Sequence, residues 1–439
     1  MRAWITRVKQ AEDAFWVVPA LCIGAAIAAG LLVPLADREI SLPDAVAMSG
    51  KEDTARAVLT AIIALGVSVA GVSFSVLAVA LVLASQQLSP RVLRSFQRQS
   101  LNQAVLGLLL GSATYALFVL GSISDDPRRP VPELAVTLAM VLATAALGLF
   151  VVFLHHAVRS LNASVVIRRI AAEGHASVAV PYPAGSGAEP RDPAAAQEAV
   201  GDWEVAPCRV EVRAPRAGYI ASVDGARLVA WATAHNAFVE QRRGIGSFVV
   251  TNAVLAVVRC HDRAGIDVRE VDRAFRLEEE RVVDGDIAFP IRQLVDIALK
   301  GLSPGINDPT TAENAMDSVT DTLVRFAQRD EPVGALRVDG DGVPRLRAIA
   351  PDLGDLVTLG FEQVRRDAAS RPSFAVRLLE LLRDLRESAP IAEHCPEIDR
   401  QAELIAEEAG TRADHQADQR LVVETYERLH GRDRPRVPA

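Results

Sequence analysis

The hydrophobic positions of this chain are gathered in its first part. Four stretches without a charged residue cover residues 15–36, 57–84, 104–123 and 134–154. A helix needs about 20 apolar residues to cross a hydrocarbon core of about 30 Å, and each stretch reaches that length. Beyond them, charged and apolar residues alternate as they do in water-soluble proteins. The pattern therefore predicts four transmembrane helices followed by a large soluble portion.

Shifts in composition along the chain predict five segments. We expect a transmembrane domain over 1–159, a juxtamembrane helix with a flexible Pro-, Ala- and Gly-rich linker over 160–207, and a β-rich module over 208–260. A mainly helical domain over 261–430 and a disordered tail over 431–439 complete the chain. The predicted fold class is an α-helical membrane protein with a cytoplasmic α+β portion, in which a small barrel-sandwich-like β module precedes a helical bundle.

Lysine and arginine in the short flanks of the spans predict the orientation, because these residues accumulate on the cytoplasmic side. With the N-terminus inside, the inner flanks hold nine such residues and the outer loops five. The loop 85–100 carries Arg91, Arg94 and Arg98 but no acidic residue. The first stretch is too long for the core of a cleaved signal peptide, so we interpret it as a retained span. Both termini and the soluble portion are expected to face the cytoplasm.

Net charge and cysteine usage argue against two kinds of site. A net charge of -8 does not fit the broad basic surface of a nucleic-acid-binding protein. Cys22 lies within the first span, while Cys208, Cys260 and Cys395 are far apart in sequence and form no C-x-x-C pair. The sequence thus predicts neither a disulfide framework nor a zinc site, and it fits a reducing compartment.

Motifs of the common enzyme classes do not occur in the sequence. It contains no phosphate-binding loop, nucleophile elbow, H-E-x-x-H pair or dinucleotide fingerprint. The glycine pairs Gly185-Ser-Gly187 and Gly244-Ile-Gly246 lack the later glycine that such a fingerprint needs. We therefore expect no enzymatic activity, no cofactor and no metal ion.

Small or hydroxylated side chains recur on one helical face of the second stretch. The spacings of three, four, three and seven place them together, at Ser68, Gly71, Ser75, Ala78 and Ser85. One interpretation is helix packing, within the four-helix unit or between subunits. The other is the lining of a pore in a homo-oligomer.

The absence of charged residues from the span interiors bears on the choice between helix packing and a pore. None of the four stretches contains Asp, Glu, Lys or Arg, whereas ion-coupled transporters place ionisable groups near the bilayer midplane. Coupled transport is therefore disfavoured, and a passive pore needs no such groups. In the third stretch, Gly107-x-x-x-Gly111 is the spacing that lets two helix backbones approach closely, which predicts a helix-packing site.

The segment after the linker alternates apolar and charged residues as a β-strand does. Ala214–Ile220 and, later, Gly244–Val249 resemble the paired steps of the lipoyl or biotinyl barrel-sandwich module over about 50 residues. Carrier members of that group need a lysine at the hairpin tip, and the lysines of this chain are Lys9, Lys51 and Lys300. A covalent carrier is therefore excluded, and a binding or structural β module containing a short inserted helix is expected.

Apolar positions 291, 294, 295, 298, 299 and 302 predict a buried helical face that ends at a Ser-Pro-Gly-Ile-Asn-Asp-Pro turn. Asp308 is suited to cap the next helix with Pro309 in its first turn, and Thr310 with Glu313 offers a capping box. The free N–H groups of a helix N-terminus also suit an anion. A structural cap and a ligand or interface site therefore both remain open for Ser303, Pro304, Gly305, Asn307, Asp308, Thr310 and Thr311. Asp339–Gly342 is expected to be a hairpin turn.

Two parts of the sequence carry a family resemblance: Gln86–Arg91 after the second span, and Ile291–Ala298 leading into Leu302–Pro309. On these residues the chain resembles the bacterial predicted membrane proteins grouped as domain of unknown function 2254, over roughly residues 10 to 430. The resemblance implies four spans in the inner membrane and a cytoplasmic domain, without an activity. It draws attention to the cytoplasmic loop residues Gln87, Ser89, Pro90 and Arg91.

Two functions from different classes follow. The first is a homo-oligomeric pore or channel-like protein whose cytoplasmic domain responds to a ligand or partner. The second is a membrane-anchored interaction or scaffold protein without transport activity. The first is preferred, because one span would be enough for anchoring. The lipid bilayer and other copies of the chain are the expected partners, nucleic acid is not, and the sequence does not identify a small ligand or ion.

Overall fold

The computed structural model describes most of the chain in two compact units, Met1–Val165 and Val166–Ala439. The described residues are 16–36, 52–87, 100–123, 131–160, 162–179, 190, 192–262, 266–283, 285–328, 336–349, 351–388 and 395–430.

The first unit is built from four long helices. They are α1 Val17–Ala36, α2 Glu52–Gln87, α3 Ser100–Ser122 and α4 Glu133–Ser160. All four are long and apolar enough to cross a membrane, so the four predicted transmembrane helices are confirmed as membrane-spanning candidates. At 36 residues α2 is about 54 Å long at 1.5 Å per residue. It is therefore longer than the hydrocarbon core it crosses.

Helix α3 lies at the centre of this unit. In its apolar span 56% of the residues are buried, against 11 to 28% in the other three spans. It packs on α1, α2 and α4. Tyr115 is fully buried there, and its hydroxyl donates a hydrogen bond of 3.2 Å to the carbonyl oxygen of Ala135 on α4. A central tyrosine with a satisfied hydroxyl thus joins two helices inside the apolar unit.

The second unit contains most of α5 Ala163–Ala179 and all of α6 Pro193–Glu204, followed by an α+β region. One sheet has the order β1-β5-β3-β8-β7 and the other the order β4-β2-β6. The strands are β1 Cys208–Arg213, β2 Gly218–Val223, β3 Ala237–Gln241, β4 Phe248–Val249, β5 Val254–Cys260, β6 Phe275–Glu278, β7 Leu336–Val338 and β8 Pro344–Arg347. Their pairing is antiparallel except between β3 and β8.

Both sheets contribute to one apolar core, which also contains helix α7 Gly225–Ala234. The helix corresponds to the short insertion expected in this region. The barrel-sandwich description is not confirmed, because the sheets formed by the described strands are open. Strands from beyond residue 260 complete them, since β3 pairs with β8 and β2 with β6. The β region is thus larger than the predicted module.

The predicted linker contains a second helix, which corrects the expectation for residues 193–204. Helix α6 begins at Asp192, whose carboxylate accepts hydrogen bonds from the N–H groups of Ala194 and Ala195 at 3.0 and 3.1 Å. Val200 and Trp203 on this helix are buried against Phe238 of β3. The burial of these two side chains stabilises a segment whose Ala-rich composition alone resembles a linker.

The cysteine prediction is wrong for Cys208 and Cys260, which form a disulfide across 52 residues of sequence. They stand directly opposite each other on the antiparallel strands β1 and β5, with their Cα atoms 5.0 Å apart. Opposed positions on neighbouring strands bring two Cβ atoms within about 4.5–5.5 Å. The pairing is therefore a consequence of strand register, which the spacing of cysteines along the sequence does not reveal.

Helices form the rest of the unit. They are α8 Arg269–Asp272, α9 Ala288–Leu302, α10 Pro309–Ala327, α11 Leu353–Ala368, α12 Pro372–Ser388, α13 Pro396–Arg412 and α14 Gln416–His430. The apolar face predicted for residues 291–302 is buried on α9. Helix α9 packs on α10 and α11, and α12 packs on α10, α13 and α14. The mainly helical bundle predicted for this part of the chain is present.

Candidate functional site

The small-residue stripe of the second span points away from the four-helix unit. Ser68, Gly71, Ser75 and Ala78 are all exposed on α2, and no atom lies within 4 Å of a Cβ placed on Gly71. The Ser75 hydroxyl donates to the carbonyl oxygen of Gly71 at 3.0 Å. Ser85 lies on the same helix, but its side chain is outside the described set. These four positions therefore lie outside the buried helix contacts of the described unit.

A different face of α2 packs inside the unit. Gly66 approaches α3 so closely that an added Cβ would lie 2.9 Å from the Cβ of Ala113. Ser73 is 1% exposed, and its hydroxyl donates to the carbonyl oxygen of Val69 at 2.8 Å. The outward stripe is flanked by large apolar side chains, more than half exposed, at Val67, Val72, Phe74 and Val79. The exposed face of α2 thus combines a small, weakly polar strip with lipid-compatible borders.

The two glycines of the third span lie against the first span. A Cβ on Gly107 would be 2.8 Å from the Sγ of Cys22 and 3.4 Å from the Cα of Pro19. A Cβ on Gly111 would be 3.4 Å from the carbonyl oxygen of Cys22. The structure thus places Gly107-x-x-x-Gly111 at a close approach of α3 to α1 beside Cys22. Of the cytoplasmic loop residues, Gln87 ends α2, and Ser89, Pro90 and Arg91 lie outside the described residues.

The Ser-Pro-Gly-Ile-Asn-Asp-Pro segment is a tight connection between α9 and α10. The N–H of Asp308 donates to the carbonyl oxygen of Gly301 at 2.8 Å, which folds the end of the turn back onto α9. Gly301 has no side chain to prevent this, since an added Cβ would lie 2.9 Å from the Asp308 carbonyl oxygen. Asn307 has a positive φ of 47°, which asparagine tolerates better than most residues. Pro304, Gly305 and Thr310 are exposed.

Asp308 caps α10 with both of its carboxylate oxygens. One accepts a hydrogen bond from the N–H of Thr311 at 3.1 Å, and the other accepts one from the Thr311 hydroxyl at 2.6 Å. The hydroxyl of Ser303 donates to the carbonyl oxygen of Lys300 at 2.6 Å. The polar groups at both ends of the turn are therefore engaged within it. This geometry favours a structural cap over a ligand site, and it uses Asp308 rather than the capping box of Thr310 and Glu313.

Glu397 is a second carboxylate whose hydrogen bonds hold two helices together. It accepts hydrogen bonds from Arg400, Gln401 and Thr358, at 2.7 to 2.8 Å, which links α13 to α11. The hydrogen bond from Arg400, helped by the other two, lowers the pKa of Glu397 from 4.5 to about 2. A lowered carboxylate pKa stabilises the folded state above the usual pKa. That contribution is lost as the pH falls from about 4.5 towards 2, so this group needs no catalytic explanation.

One charged surface was not predicted. The outward side chains of β1, β3 and β8 include several arginines on one face of the five-stranded sheet, and Arg209 and Arg213 are among them. Its signal in the sequence is the alternation Arg-Val-Glu-Val-Arg over residues 209–213. Alternation predicts a strand with one polar face, but the neighbours of that face come from distant strands.

Comparison with known proteins agrees with the four-span architecture. Residues 12–384 match the family described as predicted membrane protein, DUF2254. The chain belongs to this family. It is also 27% identical over 398 residues to the uncharacterized proteins MT1328 and Rv1290c of Mycobacterium tuberculosis and Mb1321c of Mycobacterium bovis. Each match covers 88% of this chain and 73% of the relative. No solved structure matches the chain.

The DUF2254 chain offers a test of the close contact between α3 and α1. Replacing Gly107 by leucine forces a side chain into the space occupied by Cys22, and overpacking of this kind costs about 1–3 kcal/mol. Gly148→Leu is the matched control, because no atom lies within 4 Å of a Cβ at that position. Thermal unfolding of the detergent-solubilised protein should show a lower Tm for Gly107→Leu than for Gly148→Leu. Equal values would show that the approach of α1 and α3 is not tight.

The capping role of Asp308 is tested by graded substitution. Asp308→Ala should lower the stability of the full chain by about 0.5–2 kcal/mol, and Asp308→Ser or Asp308→Asn should restore most of it. Thermal unfolding and size-exclusion chromatography of the same samples separate stability from assembly. Asp308→Ala with wild-type stability and a changed oligomeric state would show instead that the turn is an interface.

Proposed function

We propose that this protein is a homo-oligomeric, channel-like membrane protein in which the second helices of several copies meet around a common axis. The stripe of Ser68, Gly71, Ser75 and Ala78 lines a passive pore at that axis. The observation that supports this proposal is the outward direction of the stripe, which leaves it without a partner inside the described four-helix unit. The soluble unit has a regulatory role.

Small residues on a membrane helix favour contact with another helix. Without a side chain at Gly71, a second backbone approaches closely and gains dispersion contacts that lipid tails do not provide equally well. The serine hydroxyls add a weakly polar surface, since a hydroxyl that donates to its own helix still has oxygen lone pairs for a water molecule. The uncharged span interiors suit passive permeation, which requires no protonation step.

The alternative is a membrane-anchored interaction protein without transport activity. The same outward stripe supports it, because small residues at a dry helix–helix contact between copies would hold the soluble units together. The two functions differ in one physical property, which is the presence of water along the stripe. Both require self-association through α2.

Cysteine accessibility distinguishes them. Ser68→Cys and Ser75→Cys, each made in a background in which all four native cysteines are replaced by alanine, should react with a small, charged, water-soluble thiol reagent if the stripe lines a pore. Ser73→Cys and Val72→Cys are the matched controls on the same helix, because Ser73 is buried inside the unit and Val72 lies on the apolar border. Reaction at 68 and 75 exceeding that of both controls at least tenfold is the expected result.

Oxidative cross-linking of the same variants provides the second measurement. Cross-linked dimers through Ser75→Cys, without reaction of any stripe cysteine with the reagent, would indicate the dry scaffold. Neither cross-linking nor reaction would mean that the stripe faces lipid, and both functions would then be wrong.

We also propose that the soluble unit lies in the cytoplasm, on the basis of the arginines in the loop 85–100. A reporter active only in the cytoplasm should be active when fused after Gln99 or at the C-terminus, and inactive when fused after Ser49. The Cys208–Cys260 pair, which the structure joins in a disulfide, gives an independent readout, because a cytoplasmic location would keep this pair reduced in the cell. Alkylation under denaturing conditions, applied directly to acid-quenched cells because Cys260 is fully buried in the folded unit, should therefore modify both thiols.

An inactive C-terminal reporter would reverse the orientation. A closed disulfide in intact cells would point the same way, since oxidising compartments preserve such bonds. The mass of the alkylated protein, measured with and without prior reduction, gives the state of the pair directly.

A further inference from the structure

The outer face of the five-stranded sheet carries an ordered array of charges. Register places Glu211, Val257, Glu240 and Arg347 side by side across β1, β5, β3 and β8. The inner face of the same strands is apolar and belongs to the core, through Val212, Val239, Val258 and Leu346. The charges therefore project to the side of the sheet opposite the core.

Helix α6 covers one end of this outer face. Trp203 stacks on Phe238 with ring centroids 6.1 Å apart, and the guanidinium of Arg345 lies 5.7 Å from the Trp203 ring. Arg345 is neutralised locally by Asp339 at 2.7 Å. Burial raises the pKa of Asp339, but the hydrogen bonds from Arg345 and from the N–H of Val343 outweigh it and lower the pKa overall. This end of the face is thus closed and electrically balanced.

The other end is an open groove of about 350 Å³. Its lining combines three arginines and a glutamate with two valines: Arg209, Glu211, Arg242, Arg243, Val254 and Val257. The volume is at the lower end of the range of small-molecule sites, roughly 300–1,000 Å³. A small ligand with a charged group and a modest apolar surface is therefore of suitable size.

The groove has more positive than negative charge. Glu240 lies 2.9, 3.7 and 3.6 Å from Arg242, Arg259 and Arg347. Glu211 is shared in the same way by Arg209 and Arg213, at 3.2 and 2.6 Å. Five guanidinium groups thus surround Glu211 and Glu240, the carboxylate of Glu204 also lies 3.5 Å from Arg347, and Arg243 adds a sixth guanidinium at the groove. This surplus stands out in a chain whose net charge is -8.

We infer that this groove binds a small anion bearing a phosphate group, held by Arg209, Arg242 and Arg243. Guanidinium groups form paired, charge-assisted hydrogen bonds with phosphate oxygens, and a doubly charged phosphate suits several guanidiniums that share few carboxylates. Val254 and Val257 give the ligand an apolar surface to lie on. The ligand is a soluble phosphate compound or the headgroup of an anionic phospholipid, since both present the same chemistry. The inference is independent of pore formation.

The test uses the purified full chain with pyrophosphate as the soluble probe and nanodiscs as the lipid probe. In neutral detergent, at an ionic strength fixed with sodium chloride, calorimetric titration measures pyrophosphate binding. In parallel, the Tm is compared between nanodiscs of phosphatidylcholine alone and nanodiscs that also contain phosphatidylglycerol. The salt concentration is kept fixed because it sets the screening of exposed charges, with a Debye length of about 10 Å at 0.1 M.

Two variants and a matched control localise the effect. Arg242→Gln with Arg243→Gln removes two charges from the groove, and Arg243→Gln alone leaves the contact of Arg242 with Glu240 in place. Arg366→Gln with Arg428→Gln removes two charges from exposed positions on α11 and α14. We expect at least tenfold weaker pyrophosphate binding in the groove double variant and unchanged binding in the control. If the double variant fails to fold, the single variant decides.

Each outcome bears on the inference. Pyrophosphate binding lost in the groove variants supports a soluble phosphate ligand. A rise in Tm in the nanodiscs that contain phosphatidylglycerol, without pyrophosphate binding in detergent, supports a lipid headgroup if the groove variants lose that rise. No response to either probe, or equal responses in the groove and control variants, would show that the groove is not a phosphate site.

Discussion

The packing of α3 against its three neighbours is the constraint on which the membrane unit depends. Apolar side chains gain little by leaving lipid for a helix interface, so close contact and hydrogen bonds must hold the helices together. The structure provides the contact at Gly66 and Gly107, where the absence of a side chain makes room for Ala113 and Cys22 of the neighbouring helices. It provides the hydrogen bond at Tyr115, whose hydroxyl reaches α4. The faces of α1, α2 and α4 that pack on α3 determine which of their other faces point outward.

That constraint explains why helical periodicity predicts the stripe on α2 as one face and leaves its direction, inward or outward, open. The spacing of Ser68, Gly71 and Ser75 follows from helical periodicity, which the sequence contains. The direction of that face depends on which residues of α2 meet α3, and Gly66 and Ser73 take that role. Periodicity cannot choose between two small-residue faces of one helix. The choice requires the partner helix, which is a tertiary property.

In the soluble unit, too, some features depend on residues that are close in sequence and others on residues that are far apart. The buried face of α9 and the cap at Asp308 follow from residues close in sequence, and local patterns predict them well. The disulfide, the completion of the sheets by β6 and β8, and the charged groove depend on strands far apart in the chain. Alternation of apolar and charged residues predicts a strand with one polar face, but not that Arg242, which follows β3, lies beside that face. The register between strands that are far apart in the chain cannot be read from local sequence patterns.

Helix α6, in the segment predicted to be a linker, depends on both a local interaction and a distant one. Its Ala-rich composition suits a loop and a helix equally, and two residues decide between them: Asp192, which caps the helix, and Trp203, which is buried on the sheet. By covering Phe238 and Arg345, α6 closes one end of the outer sheet face. The arginines beyond the reach of α6 remain open to solvent beside Val254 and Val257. The position of one short helix therefore divides a charged sheet face into a structural half and a half that is available to a ligand.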